Sequence, residues 1–223
     1  MSAVAVSYYT DVLCIWAYVA QARIDAVKET FGADVSIDYR FCSVFGDARE
    51  KLDAAWRDRD GFAGYSRHVH AVAERFPHIR VGRDAWLRVQ PASSASPHLF
   101  LAAMRRAPIL TEPASQFESV IWAFRRGFFE HGLDISRWDV QCDLAKPFGV
   151  DIYAVSASIA DGTAFAALHG DYREAERIRI EGSPTVVLNE GRQKLFGNVG
   201  FRIIEANIRE MLREPNADQA SWC

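Results

Sequence analysis

The sequence has few cysteines and no long apolar run. Its 223 residues include four cysteines, Cys14, Cys42, Cys142 and Cys223, whose wide separation matches no zinc-binding spacing. No apolar stretch approaches the roughly 20 residues that cross a membrane. A basic leader segment is also lacking before Asp11, which argues against a secretory signal peptide. We therefore expect a cytoplasmic protein without a membrane partner, in which structural disulfides are disfavoured.

An excess of positive charge is also lacking. The net charge is −3, and neither a basic field nor a lysine-rich tract is present, so we expect no nucleic-acid partner. The sequence contains no internal repeat. Hydrophobic residues make up 49% of the chain and aromatic residues 12%, which is enough to build one large domain or a domain with an insertion.

Both ends of the chain have the periodicity of an α/β fold. Residues 4–9 form an apolar strand pattern, and Val35–Phe41 alternates apolar and polar residues. With the helical pattern between them they predict a β-α-β unit with parallel strands. Further on, residues 185–188 and 193–196 predict two strands joined by a turn, followed by a closing helix from Phe201.

Between these two ends the pattern is helical. An irregular connection rich in proline and serine covers residues 77–97. We read the block as an insertion into a small mixed sheet with helices on both faces. The predicted helices of the block cover residues 61–76, 97–106, 111–131, 136–148, 151–160 and 171–181, where 111 and 136 are capping residues.

The most informative motif is a C-x-x-A sequence that begins at Cys14, where the first strand gives way to a helix. Free N–H groups and the helix dipole favour an anion at a helix start, so we expect them to lower the pKa of the Cys14 thiol. A charged Asp11 would oppose this by raising that pKa. The motif is half of a C-x-x-C redox pair, because Ala17 stands where the second cysteine would be.

A second local signal is the Ser183-Pro184 pair before a predicted strand. The bond before this proline is a candidate for the cis isomer, although a trans proline that starts a strand is the commoner arrangement. A cis bond would turn the backbone of Ser183 outward, where it could pair with an extended peptide.

Together these signals resemble the DsbA-like branch of the thioredoxin fold, particularly the FrnE-type proteins. The resemblance covers nearly the whole chain and implies an α/β, thioredoxin-like fold with a large all-helical insertion. It is carried, in order, by the stretches at residues 11–18, 128–136, 182–185 and 196–198.

The resemblance also implies a domain division and a chemistry. Residues 1–45 and 168–223 would form the thioredoxin-like domain, and residues 46–167 the insertion. In that family the first cysteine of the motif, here Cys14, attacks disulfides beside a cis-proline loop. The family's usual proline after this cysteine is Ile15 here, and with Ala17 this departure argues against ordinary dithiol oxidase activity.

Two related groups share this architecture, the kappa-class glutathione transferases and the 2-hydroxychromene-2-carboxylate isomerases. They bind glutathione, and the resemblance assigns the corresponding contacts here to Ser183 and to the start of the last helix near Asn198 and Val199. Glutathione is thus an expected co-substrate, and no tightly bound cofactor or metal is expected.

Three functions fit these observations. The first is a thiol-disulfide oxidoreductase that uses Cys14 alone, with Ser183 and Pro184 presenting the substrate and Trp16 forming a groove wall. Its mixed disulfides with protein or small-molecule substrates would be resolved by glutathione or another thiol. The second is a glutathione-dependent transferase or isomerase, and the third is a non-catalytic peptide-binding module. A homodimer is a possible assembly.

The remaining candidates are expected to be structural. Cys42 and Cys142 read as packed small residues, and Cys223 lies on a tail without periodicity. His98 starts a helix of the insertion and could face the thiol, but we expect a surface position. Arg125 is expected on a solvated helix face.

Overall fold

The computed structural model describes residues 3–106 and 113–213, and its centre is a four-stranded mixed sheet. The strands are β1 (Val4–Thr10), β2 (Val35–Phe41), β3 (Thr185–Leu188) and β4 (Gln193–Phe196). Their order is β2-β1-β3-β4. β1 and β2 are parallel, whereas β3 is antiparallel to both β1 and β4. This confirms the predicted β-α-β unit and the later pair of strands.

The helices within the described residues follow the predicted order with two differences. The sequence reading missed α2, a short polar helix whose first turn is capped by the Asp47 carboxylate, which accepts from the Glu50 N–H. The helix predicted over 171–181 in fact begins at Thr163 and ends at Arg177. The helices are α1 (Ile15–Phe31), α2 (Ala48–Ala55), α3 (Gly61–Glu74), α4 (Ala95–Arg106), α5 (Pro113–Phe129), α6 (Trp138–Ala145), α7 (Ile152–Ala160), α8 (Thr163–Arg177) and α9 (Phe201–Leu212).

The sheet is covered on both faces. One face carries Val6 and the paired Tyr8 and Tyr39, which belong to the main core, and α1 and α9 pack against the sheet. On the other face Tyr9 and Val187 pack against Ala175 of α8. Residues that alternate along a strand point to opposite faces, so the two sets follow directly from the strand periodicity.

The outer edge of β2 is closed by two charged side chains. Arg105 of α4 donates to the Tyr39 carbonyl at 2.5 Å, and the Asp171 carboxylate of α8 accepts from the Phe41 N–H at 3.1 Å. The two side chains also pair with each other at 2.5 Å. Free strand edges invite pairing with other chains, and these contacts occupy this edge.

The sheet and the helical insertion share one continuous hydrophobic core. The division into a thioredoxin-like domain and an insertion at residues 46 and 168 therefore stays a prediction. Its second boundary, residue 168, falls inside α8. None of the helices in the described ranges is long and apolar enough to cross a membrane.

The irregular connection before α4 contributes to the core more than its composition suggests. Within it Trp86 is fully buried. The Trp86 ring contacts Phe45 at 5.0 Å, after β2, and Phe128 at 5.1 Å, in α5. This ring thus joins the sheet's connecting loop to the insertion, and packing of this kind is invisible to helix or strand periodicity.

We predict that Trp86→Ala lowers the free energy of unfolding by about 3–5 kcal/mol, because it leaves a large cavity at this junction. The measurement is chemical denaturation followed by circular dichroism. Trp138→Ala is the matched control, since Trp138 is 43% exposed and its loss should cost about 1 kcal/mol. Equal losses for the two variants would contradict the role given to Trp86.

Candidate active site

Cys14 lies where β1 leads into α1 and is the N-cap residue of that helix. Its N–H donates to the Asp11 carbonyl at 3.1 Å, which forms the turn between strand and helix. The thiol is 5% exposed, and its Sγ donates to the Ser183 carbonyl at 3.1 Å across 169 residues of sequence. The structure thus brings together the two local signals that the sequence placed far apart.

The pKa of Cys14 is raised above its ordinary value, contrary to the expected lowering. Burial is the largest cause, because it disfavours the thiolate, and the Asp11 carboxylate also raises the pKa. The backbone N–H groups of Ala17 and Trp16 and a hydrogen bond from the Ser183 side chain lower it. The helix start therefore acts in the expected direction but is outweighed by burial.

The Ser183-Pro184 peptide bond is cis, as the resemblance implied. Ser183 contacts the thiol loop twice, because its carbonyl accepts from Cys14 and its hydroxyl accepts from the Asp11 N–H at 2.8 Å. Behind it, the Pro184 carbonyl accepts from the Gly197 N–H at 2.8 Å. Of the residues assigned to substrate binding, Ser183 contacts the thiol across the site, and Trp16 contacts it through its backbone N–H.

The Asp11 carboxylate joins the segments around the site through hydrogen bonds. It is fully buried. One oxygen accepts from the Leu13 N–H at 2.9 Å. The other accepts from the N–H groups of Val44 and Phe45 at 3.0 and 2.9 Å and from the Ser94 hydroxyl at 2.7 Å. A buried carboxylate needs such donors to offset its lost hydration, and here they come from three separate segments.

His98 is fully buried beside this carboxylate, so the expected surface position was wrong. Its Nε2 accepts from the Val12 N–H at 3.2 Å, and its Nδ1 lies 2.9 Å from the Tyr172 hydroxyl. Burial lowers the pKa of His98 to about 4, although Asp11 acts in the opposite direction. The imidazole is thus neutral and supports the loop that precedes Cys14, and its ring nitrogens form hydrogen bonds with Val12 and Tyr172.

Trp16 lies in α1, two residues after Cys14, and its side chain is half-buried. Its ring meets Phe76 at 6.1 Å and His68 at 6.5 Å, both edge to face. The position is compatible with the predicted groove wall, formed by one helix of the thioredoxin-like part and by α3 of the insertion.

Asn198 and Val199 lie in the loop before α9, and both are half-buried. The Val199 N–H donates to Gly197, which in turn is bonded to Pro184. Asn198 Oδ1 is a buried acceptor without a hydrogen-bond partner among the described residues. No hydrogen bond within that part of the chain links either residue to Cys14, so their predicted contact with glutathione remains a prediction.

Arg125 was missed by the sequence reading, which placed it on a solvated face. It is fully buried in α5 and donates to Gln21 Oε1 at 2.7 Å and to Thr10 Oγ1 at 2.6 Å. A signal was present, because Arg125 follows Ile121 by four residues and precedes Phe128 by three, which puts it on the apolar side of the helix.

The other thiols within the described residues are buried. Burial is the largest cause that raises the pKa of both Cys42 and Cys142, as it is for Cys14. Cys42 follows β2 and Cys142 lies in the middle of α6, so neither stands at the start of a helix as Cys14 does. Cys223 lies outside the described residues. Over residues 3–106 and 113–213, no group of three or more His, Cys, Asp or Glu side chains could hold a metal ion.

A cleft of about 700 Å³ lies on the face of the sheet that α8 covers, away from the thiol. Its lining includes Arg40, Arg105 and Asp171. These charged groups pair with one another, at 3.4 Å for Arg40 and 2.5 Å for Arg105. We therefore place the candidate site at Cys14 and not in this cleft.

A buried thiol at a helix start, facing a cis-proline loop in a mixed four-stranded sheet, defines a thioredoxin-fold protein with a single site cysteine. More specifically, the chain belongs to the family of DSBA-like thioredoxin domains, whose model matches residues 5–209. This confirms the expected family.

Solved structures share the fold over nearly the full length. A probable DsbA oxidoreductase from Streptomyces coelicolor is 21% identical, with a TM-score of 0.69 over 96% of this chain and 92% of its own. The cytosolic disulfide reductase DsbM from Pseudomonas aeruginosa, solved with GSH, is 18% identical, with a TM-score of 0.66 over 92% and 99%. A 2-hydroxychromene-2-carboxylate isomerase is 17% identical, with a TM-score of 0.66 over 93% and 95%. A comparison with curated proteins finds no match.

We predict that His98 makes the fold sensitive to acid. Its pKa is about 4 in the folded protein and about 6.5 when unfolded, so between these two pH values the unfolded chain binds the proton and the folded protein does not. Stability should therefore fall by about 2 kcal/mol between roughly pH 7 and pH 5 from this group alone. Denaturant titrations at several pH values measure it.

His98→Asn should remove this part of the pH dependence, whatever its effect on stability at neutral pH. His169→Asn is the control, because His169 is exposed on α8, and it should retain the wild-type slope. An unchanged slope in His98→Asn would show that His98 is not the buried neutral group described above.

Proposed function

We propose that the protein is a thiol-disulfide oxidoreductase that works through the single thiol of Cys14. The observation that supports this most directly is the contact between the Cys14 Sγ and the Ser183 carbonyl at the cis-proline loop. This contact places the sulfur beside a backbone edge that can receive an extended substrate. The family membership supports the same class of chemistry.

The substrate we propose is a mixed disulfide between a protein or small-molecule thiol and glutathione. Cys14 loses its proton and the thiolate attacks the glutathione sulfur. A new Sγ–S bond forms, the substrate S–S bond breaks, and the electron pair leaves with the substrate sulfur, which takes up a proton. The substrate is thereby reduced, and Cys14 carries glutathione.

A second thiol must complete the cycle, because Ala17 cannot attack the mixed disulfide. Free glutathione attacks the glutathione sulfur attached to Cys14, which regenerates the Cys14 thiol and yields glutathione disulfide. In the net reaction, the mixed disulfide and one free glutathione give the substrate thiol and one glutathione disulfide. A reducing cytoplasm, where we place the protein, would supply that thiol.

Several groups around the sulfur favour the thiolate that this reaction needs. The N–H groups of Trp16 and Ala17 and the Ser183 hydroxyl all lower the pKa of Cys14, against the larger effect of burial. We propose that Ser183 holds the glutathione backbone, and that Asn198 and Val199 lie beside its carboxylate at the start of α9, where free N–H groups attract anions. The structure of DsbM solved with GSH supports glutathione as the thiol.

A second candidate is a glutathione-dependent isomerase or transferase. The raised pKa of Cys14 and its role as a hydrogen-bond donor favour it, because a protonated thiol can position a glutathione sulfur much as a hydroxyl would. The likeness to a 2-hydroxychromene-2-carboxylate isomerase is compatible with this alternative. Glutathione binding and turnover of an electrophile by Cys14→Ser, without reduction of disulfides, would favour it.

We predict that Cys14→Ser abolishes glutathione-dependent reduction of a mixed disulfide, because no other described thiol is positioned to attack. The measurement follows glutathione disulfide formation with a coupled reductase. Cys142→Ala is the control, since it removes a buried thiol in α6, and it should keep near wild-type activity. Unchanged turnover in Cys14→Ser would refute the proposal, and binding of peptide without any turnover would indicate a non-catalytic module.

We also predict that Ala17→Cys creates an intramolecular resolving thiol. Position 17 lies in the first turn of α1, where a C-x-x-C motif carries its second cysteine, so a thiol there can attack a mixed disulfide on Cys14. The variant should form an internal disulfide under oxidising conditions, and its release of substrate should no longer require glutathione. Mass spectrometry and single-turnover kinetics measure both effects.

Ala17→Ser is the matched control for this experiment, because it adds a side chain of similar size without a thiol. It should behave like the wild type. If Ala17→Cys forms no internal disulfide, the missing cysteine is not what makes the site monothiol.

A further inference from the structure

A strip of aromatic rings joins α1, which follows the thiol, to the insertion. Phe76, Trp16, His68 and Trp56 form it, and we call these four residues the aromatic strip. Successive rings lie 6.1, 6.5 and 5.2 Å apart, and all four side chains are half-buried. Since an extended peptide advances roughly 3.3 Å per residue, the strip can contact several residues of a peptide.

The second ring of the strip belongs to the helix that Cys14 caps. Trp16 is two residues after Cys14 in the same helix. Tyr65 of α3 stacks on His68 at 5.8 Å. Burial and then the nearby charge of Cys14 raise the pKa of this tyrosine, so it too lies close to the sulfur. The leaving half of a disulfide attacked by Cys14 can therefore lie along the strip.

Three arginines flank the strip. Arg23 and Arg75 each lie over the Phe76 ring at 5.9 Å, and Arg59 lies over Trp56 at 5.4 Å. Cation–π contacts of this kind hold a guanidinium in place while its remaining donors stay free. The Arg23 Nη1 donates to the Val19 carbonyl at 3.2 Å, which fixes it further.

These arginines lack acidic partners within the protein. In the part of the chain that the structure describes, none of the three has a carboxylate within 4.0 Å, whereas neighbouring Arg67 pairs with Asp60. Arginine and aromatic side chains are the residues that contribute most often to binding energy at protein interfaces. Because the three guanidinium groups are held in place and have no carboxylate partner, their positive charge is complementary to an anionic partner.

We propose that the aromatic strip and its three arginines bind an acidic, extended peptide that carries the reacting cysteine. This rests on the proposed function and deepens it, because it names the substrate class of the same site. The peptide part of the mixed disulfide lies along the strip, and its glutathione part lies on the opposite side of the sulfur, toward Ser183. When Cys14 attacks the glutathione sulfur, the acidic peptide leaves as the thiol.

The experiment compares two glutathionylated peptides of equal length, one with Asp and Glu around the cysteine and one with Asn and Gln. For the wild type, kcat/KM should be about fivefold to tenfold higher with the acidic peptide at low ionic strength, as expected for two exposed charge contacts. The preference should shrink at high salt. Equal values for the two peptides would overturn the proposal.

The double variant Arg23→Gln/Arg75→Gln should lose this preference, so that its kcat/KM values for the acidic and the neutral peptide become equal. Arg173→Gln is the control, because it removes an exposed arginine from α8 on the opposite face of the sheet, and it should retain the preference. If the double variant still prefers the acidic peptide, the arginines do not bind it.

A binding measurement separates this inference from the proposed chemistry. If the wild type fails to reduce even a cysteine–glutathione mixed disulfide, the proposed function fails. Fluorescence anisotropy of the acidic peptide with Cys14→Ser then still tests the strip. Binding that weakens about fivefold to tenfold when Arg23 and Arg75 are also replaced by Gln supports it, and equal binding of both peptides overturns it.

Discussion

The buried carboxylate of Asp11 is the constraint on which the site depends. It accepts hydrogen bonds from the thiol loop, from the loop after β2 and from the segment that begins α4. Without it, the N–H groups of Leu13 and Phe45 would lose the one acceptor that each has among the described residues, and each unpaired buried group costs about 1–3 kcal/mol. A single charge therefore fixes the position of the thioredoxin-like part against the insertion.

The same charge also acts on the thiol. Burial is the largest cause that raises the pKa of Cys14, the Asp11 carboxylate raises it further, and the Ser183 carbonyl accepts a hydrogen bond from the thiol. Attack on a disulfide requires loss of the thiol proton. The hydrogen bond that joins Cys14 to the cis-proline loop therefore favours the protonated thiol, and the sulfur must give up this contact before it can act as a nucleophile.

The fold was largely predictable from the sequence because its signals are local. The alternation in Val35–Phe41 and the Cys14 junction each lie within a few residues, and the structure has both. The polar helix α2 was missed because its eight residues have few apolar positions. The family resemblance added the cis-proline loop, for which local sequence alone favoured the commoner trans bond.

The environment of the site was not predictable in the same way, because it depends on contacts between distant residues. Ser94 reaches Asp11 across 83 residues, and His98 reaches Val12 across 86. The direction of the Cys14 pKa shift illustrates the difference. The helix start is a local feature and lowers the pKa as expected, whereas the burial that outweighs it comes from the surrounding fold.

The most direct test of the monothiol chemistry is intact and peptide mass spectrometry after reaction with glutathione disulfide. The chemistry predicts one glutathione, bound to Cys14 and removed again by excess free glutathione. An unmodified Cys14, or an adduct confined to Cys42, Cys142 or Cys223, would contradict it.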